Sequence, residues 1–274
     1  MTKRHIRWTR KLINRRLADG RGKGIGSNYQ PWLRVQDVPS KGRIHRIKGC
    51  TTGRVHHLLS DLEAKVFYTF DYSPSVCDIR EQFPLLPLEE TLAIAEECGV
   101  THPTAPITQH PVVMTTDLLA THHCEGRSVY EARTIKYESE LKRPRVLEKL
   151  EIERRYWKRK AIDWGIIREC DIHQPLIDNI RWIRPYFNLT DLYPLTEEVI
   201  RRVSGRLTHY IRRESAPLCE IAWRCDAECQ LPDGSSLAIV RHLLATKQWM
   251  VDMNNRIQPG ERLTLLKIQL LDSK

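Results

Sequence analysis

Between Pro111 and Lys136 the chain reads PVVMTTDLLATHHCEGRSVYEARTIK. Pro111 to Thr121 and Ser128 to Lys136 both have strand composition, and Gly126 supplies a turn between them, so the stretch predicts a β-hairpin. The cluster His122, His123 and Cys124 reads as part of that turn. On a pleated strand residues i and i+2 face the same way, which puts Thr134 and Lys136 on one side, next to the strand that carries Asp117. An acidic side chain on one strand with a lysine on its neighbour suits phosphodiester hydrolysis. That reaction needs a nucleophilic water and a stabilised anionic phosphorus centre, and metal ions on carboxylates with a nearby lysine supply both.

Outward from the hairpin, apolar residues at Leu62, Val66, Phe67 and Phe70 predict a helix from Ser60 with one buried face. Val76 to Phe83 predicts a strand that ends at Pro84 and Pro87. A short helix, Leu92 to Cys98, is expected inside the proline-rich segment before Pro111. Arg145 to Lys160 predicts a long charged helix with Leu147, Leu150, Tyr156 and Trp157 turned inward, followed by a strand from Trp164 to Arg168. The order helix, three strands, helix, strand is an α/β sandwich around a mixed sheet. Glu63, on the first of these helices, is the acid that would complete a site with Asp117 and Lys136. The same residue also closes the capping-box pattern Ser60-x-x-Glu63, in which it would only secure the helix start.

Past Asp171 the pattern becomes helical: Gln174 to Ile183, Thr196 to Glu214, Ala216 to Cys229 and Ser235 to Thr246. A two-stranded ribbon from Trp249 to Met253 and Arg262 to Leu270 follows. Helices followed by a small hairpin outline a winged helix, whose recognition helix would be Ser235 to Thr246 with Arg241, His242 and Lys247. That helix is otherwise apolar, so the domain suits a protein partner as well as DNA. The expected division is a basic helical arm over residues 1–26, a catalytic domain over 27–170 and the C-terminal domain over 171–274.

The 274 residues carry a formal net charge of +10, which favours an acidic partner such as nucleic acid. Arg15 and Arg16 belong to a basic N-terminal helix ending at Gly20, which is either a solvated face or an arm that tracks the DNA backbone. GRGKGIGS at 20–27 lacks the Lys-Ser/Thr ending of a phosphate loop. Eight cysteines without paired spacing point to free thiols in a reducing compartment. Cys219, Cys225 and Cys229 read as buried structural thiols in preference to a zinc site. No apolar run is long enough to cross a membrane, and the N-terminus lacks a signal-peptide pattern, so a cytoplasmic protein is expected, nucleoid-associated when assembled on DNA.

The blocks PWLRVQDVPSKGRIHR, TGRVHHLLSDLEAKVF, VCDIREQFPLLP, TTDLL and LEKLEIERRYWKRKAIDW resemble, in this order, the TnsA endonuclease subunit of heteromeric bacterial cut-and-paste transposases, and the resemblance runs from about Pro31 to Trp182. The resemblance implies a restriction-endonuclease fold for the N-terminal domain and a winged-helix-like C-terminal domain. Carried over, Glu63, Asp117 and Lys136 are the catalytic trio, with Mg2+ (Mn2+ as a substitute) held by Glu63, Asp117, Thr134 and the backbone carbonyl of Ile135. The family carries glutamine where Thr134 stands, and a hydroxyl is a weaker ligand. Ser73 also replaces an acidic residue. Asp78, Arg80, Glu81 and Gln82 fall on a matching block, where they would brace the sheet, with Arg80 and Gln82 as candidate DNA contacts beside Arg15 and Arg16. The implied role is cutting the 5′ ends of a mobile element, together with a TnsB-type transposase and a TnsC-type AAA+ ATPase regulator. The rivals are a stand-alone restriction or repair nuclease and a non-catalytic DNA-binding assembly subunit.

Overall fold

The computed structural model describes residues 8–38, 42–124, 126–192 and 194–268. They divide into two compact units, one up to Ile172 and one from His173.

In the first unit, helix α1 (Arg10–Ala18) starts at Thr9, whose hydroxyl accepts the Leu12 amide. Strands β1 (His45–Lys48) and β2 (Val55–Leu58) pair antiparallel. Helix α2 (Asp61–Tyr72) is capped by Ser60. Then come β3 (Val76–Pro84), α3 (Leu88–Glu97), β4 (Thr115–Cys124), β5 (Arg127–Ile135), the short α4 (Glu138–Leu141), α5 (Pro144–Arg159) and β6 (Asp163–Ile167). The sheet runs β3-β4-β5-β6, with the first two pairings antiparallel and the last parallel, so it is mixed as expected.

Alternation along the strands gives the sheet two apolar faces. On one, Leu62, Val66 and Phe67 of α2 pack against Ile79, Leu118 and Ile135. On the other, Ile152, Tyr156 and Trp157 of α5 and Ile94 of α3 cover Leu119 and Ala132. Full burial of side chains of this size contributes roughly 1.5–3 kcal/mol each, which makes these two layers the principal source of cohesion. The interior also holds one fully paired anion. Glu81 of β3 accepts from both guanidinium nitrogens of Arg54, from His56 Nδ1 at 2.8 Å and from the His57 amide at 3.0 Å. Burial alone would raise its pKa, but Arg54 and His56 overcome that and hold it at about 2. Glu81 thereby ties the β1–β2 hairpin to the central sheet.

Several local expectations change. The helix after Pro87 starts at Leu88, not Leu92. Strand β4 starts at Thr115; Pro111, with no amide hydrogen to donate, makes only an isolated bridge to Thr104. His122, His123 and Cys124 are strand residues paired with Val129, Ser128 and Arg127, so the turn is shorter than read. Leu147 is 48% exposed, because the buried stripe of α5 runs through Leu150, Glu153, Tyr156 and Trp157. The basic N-terminal segment, expected as an arm, is packed from Trp8 onward: Trp8 and Ile13 join a cluster with Trp32, Ala105 and Val113.

In the second unit, α6 (Gln174–Ile183), α7 (Glu197–Arg213), α8 (Leu218–Cys229) and α9 (Ser235–Ala245) precede a ribbon of two residue pairs, β7 (Trp249–Met250) with β8 (Lys267–Ile268). The expected strand ends at Gln269 and Leu270 lie outside the described residues. Asp226 at the end of α8 accepts the Gly234 and Ser236 amides at 2.8 and 2.7 Å, satisfying the open start of α9. Asn179 of α6 binds Met253, Asn255 and Ile257 through their backbone groups and so fixes the following loop.

Helix α9 does not present a reading face: none of its residues is exposed. Arg241 donates to the Trp182 carbonyl and lies over the Trp182 and Tyr186 rings, and His242 Nδ1 contacts the Tyr186 carbonyl at 2.7 Å. Arg241 and His242 of the expected recognition helix are thus used internally. All eight cysteines are free; Cys225 is buried, Cys229 half-buried and Cys219 exposed.

Candidate active site

The central strands lose their regular alternation at one point. Gln82 of β3 has φ of 49°, in the left-handed region that a non-glycine residue rarely occupies. Its reversal puts Phe83 on the same face as Arg80, whose guanidinium lies 5.4 Å from the Phe83 ring, where strict alternation would separate them. The pairing with β4 runs Glu81↔Leu118 and then Phe83↔Thr116, and the Gln82 amide group is turned towards Asp117 between them. The β4–β5 ladder also ends at Leu118↔Arg133. Beyond it the Asp117 carboxylate replaces a backbone acceptor and takes the Ile135 amide at 2.7 Å.

This opening brings the expected trio together. Lys136 Nζ is 2.8 Å from Asp117 Oδ2 and 2.8 Å from the Ile135 carbonyl oxygen. Gln82 Nε2 lies 3.4 Å from Glu63 Oε2 and 3.5 Å from Asp117 Oδ1, so one amide links both carboxylates. Glu63 fills its capping role as well. It accepts from the Leu59 amide at 2.9 Å and from Ser60 Oγ at 3.0 Å, while its own amide donates to Ser60 Oγ at 3.1 Å. The helix cap and the expected site acid are one residue, and the cap fixes the carboxylate's direction.

Glu153, which sequence reading missed, is the fourth charged member. It comes from α5, is buried, and accepts from the Thr116 hydroxyl at 2.7 Å and from the Thr134 hydroxyl. Its signal was a carboxylate lying between Leu150 and Tyr156 on an apolar helical stripe, a place where an unpaired charge is costly. Burial, and then the negative charge of Asp117, push Glu63 up to about 7, and the same two causes push Glu153 to about 7. Burial lowers the Lys136 pKa, but Asp117 outweighs it and the ammonium is held above its usual range. Three acids thus face one lysine, and two oxygens, Asp117 Oδ2 and Ile135 O, already converge on a positive charge. That is a donor set of the kind that could hold a further cation. Among the described residues no group of three or more His, Cys, Asp or Glu side chains forms a ready-made metal cage.

The other expected site residues are placed differently. Thr134, 2% exposed, gives its hydroxyl proton to Glu153 and accepts from Trp164 Nε1 at 3.3 Å. Its face of β5 is the α5 face, opposite Ile135, so it acts as a hydrogen-bond partner of Glu153 and not as the direct ligand expected. Arg16, 4% exposed, sits over the Trp8 and Trp32 rings and pairs with Asp37. Arg80 is spent on Asp78, Thr121, Phe83 and Tyr130, and Gln82 is 2% exposed. These three are internal groups, because each guanidinium or amide is buried among its neighbours, out of reach of DNA. Arg15 is exposed. Ser73 is the C-cap of α2, with its hydroxyl on Ser75.

Thr134→Val separates the two readings of that residue. Valine keeps the shape and removes one donor from Glu153, so we expect a loss of roughly 1–3 kcal/mol in denaturant unfolding with Mg2+ affinity, measured by calorimetry, unchanged. A severalfold weaker Mg2+ affinity would restore Thr134 as a ligand.

The description "TnsA-like endonuclease N terminal" matches residues 73–169, and "TnsA endonuclease C terminal" matches residues 171–253. Asp117, Thr134, Lys136 and Glu153 fall within the first match, and Glu63 lies just ahead of it. Over 251 residues the chain is 40% identical to the Transposon Tn7 transposition protein TnsA of Escherichia coli, a span that covers 89% of this chain and 87% of that protein. With likeness of this extent through both compact units, the chain belongs to the TnsA endonuclease family and is an endonuclease subunit of a transposase.

Proposed function

We propose that this chain hydrolyses phosphodiesters at the 5′ ends of a mobile element, in a site built from Glu63, Asp117, Lys136 and the Ile135 carbonyl. The observation that carries the reading is the convergence of Asp117 Oδ2 and the Ile135 oxygen on the Lys136 ammonium, each at 2.8 Å. Those oxygens and the Glu63 carboxylate would hold magnesium, with manganese as a substitute. A bound divalent ion lowers the pKa of water and offsets charge on the phosphorane. Glu153 stands behind the site and keeps Thr116 and Thr134 in place. Asp117 orients Lys136, which in turn holds the attacking water or a scissile-phosphate oxygen. Gln82 keeps the two carboxylates at a set separation by donating to both.

The partners in this reading are transposon-end DNA, a TnsB-type transposase that cuts and joins the other strand, and a TnsC-type AAA+ ATPase regulator. The domains are a catalytic unit ending near residue 170 and a winged-helix-like unit after it, with Arg15 among the residues that meet the DNA backbone. The location is the cytoplasm, on the nucleoid once assembled. In support, no helix among the described residues is long and apolar enough to cross a membrane.

The test is cleavage of element-end DNA in Mg2+ with the cognate transposase present, parent against Lys136→Ala. We expect the variant to lose about 100-fold or more in rate. Equal rates would remove Lys136 from the chemistry. Efficient cutting by the parent alone would make the chain a stand-alone nuclease.

A further inference from the structure

Helix α7 buries Ile200, Val203, Leu207 and Ile211 along one stripe. The opposite side carries Arg201, Arg202, Gly205, Arg206, His209, Arg212 and Arg213, all exposed. At about 100° per residue these seven fall within an arc of roughly 140°. Arg206 leans to Glu228 at 3.6 Å, whereas among the described residues no carboxylate pairs with Arg201, Arg202, Arg212 or Arg213. The two acids of the helix, Glu197 and Glu198, are confined to its first turn, where they oppose the helix dipole. From Arg201 to Arg213 the arc is therefore positive without interruption over about 18 Å of axis.

Gly205 lies within this arc, with arginines to either side. A glycine inside a helix costs about 1 kcal/mol relative to alanine. Nothing in the packing asks for it, since an added Cβ would meet no atom within 4 Å. What it leaves is a helix surface that another backbone can approach closely, with arginines on both sides. The arc offers no aromatic or aliphatic anchor of the kind on which protein interfaces depend, whereas a sugar–phosphate backbone needs none. Helix α9, the element that would read DNA in a winged helix, is covered.

We propose that α7 is the DNA-backbone-binding face of the C-terminal unit, with Arg201, Arg202, Arg212 and Arg213 on phosphates and Gly205 at the closest approach. This rests on the reading of the chain as an enzyme that acts on DNA, and deepens it by naming where the second unit holds that DNA.

The test measures binding of the full chain to a short DNA duplex in EDTA across a range of salt, so that no cleavage enters. Replacing the four unpaired arginines with glutamine lowers the slope of log K against log salt by about three to four, because that many fewer counterions are released. Gly205→Leu, a second and separate variant, raises the melting temperature through helix propensity yet weakens binding severalfold, a combination that a purely structural glycine would not give. An unchanged salt slope in a folded arginine variant overturns the proposal. So does DNA binding at parental strength in Gly205→Leu, or loss confined to binding of an acidic protein partner. Because the readout is equilibrium binding, its failure leaves the cleavage site untouched, and inactivity of Lys136→Ala leaves the salt slope untouched.

Discussion

Asp117→Asn is expected to cost about a thousandfold or more in 5′-strand cleavage while the protein stays folded and binds DNA. The asparagine carbonyl still accepts the Ile135 amide that Asp117 takes at 2.7 Å, so the splayed end of β4 and β5 keeps its tie. What disappears is the negative charge that holds Lys136 at 2.8 Å and would face a cation. Asp117→Ala differs instructively. It leaves the Ile135 amide without its acceptor as well, and should add roughly 1–3 kcal/mol of destabilisation to the same loss of rate. Cleavage assays with the cognate transposase, alongside urea unfolding of both variants, separate the chemical part from the structural one. Full cleavage by Asp117→Asn would end the assignment of this strand to catalysis.

Glu63→Gln should do something less usual and make the metal-free protein more stable near neutral pH while abolishing cleavage. The Glu63 carboxyl is raised from 4.5 to about 7 by burial and by Asp117. A group whose folded pKa lies above its unfolded value contributes stability that is fully present below the unfolded value. That stability is lost as pH rises through the folded one. The parent without metal should therefore weaken between about pH 4.5 and 7 through this group, and Glu153 acts in the same direction. The ceiling for one such shift is on the order of 3 kcal/mol, and the glutamine keeps an oxygen for the Leu59 amide in place of Oε2, while its amide nitrogen faces the Ser60 hydroxyl in place of Oε1. Thermal melts in EDTA at about pH 5 and pH 8 read this directly: the variant gains over the parent at the higher pH and little at the lower. Adding Mg2+ should then raise the parent's melting temperature and leave the variant's nearly unchanged. A variant less stable than the parent at both values would show that the capping hydrogen bonds outweigh the repulsion.

Both predictions turn on residues that the sequence alone offers as candidates. Asp117 and Lys136 belong to a hairpin whose two halves lie close in the chain, and Glu63 belongs to a helix announced by its own cap. Alternation along strands and repeats along helices are local properties, so the sheet and its two covering helices could be read from residue order, which offered the three side chains only as candidates until the family resemblance singled them out. The four C-terminal helices were legible for the same reason, as α7 illustrates with its buried Ile200, Val203, Leu207 and Ile211 at spacings of three and four.

Tertiary packing alone decided which polar groups remained available. Arg16 looked like a DNA contact until Trp8, Trp32 and Asp37 enclosed it, and those partners come from separate stretches of chain. Arg241 and His242 looked like reading residues until the carbonyls of Trp182 and Tyr186 took them up, and Thr134 looked like a ligand until Glu153 arrived from α5. Periodicity states which face of an element is apolar. It carries no information on which distant donor or acceptor will satisfy a polar group, because that is set when the elements dock. A buried hydrogen bond or ion pair is then more favourable than leaving either member unpaired.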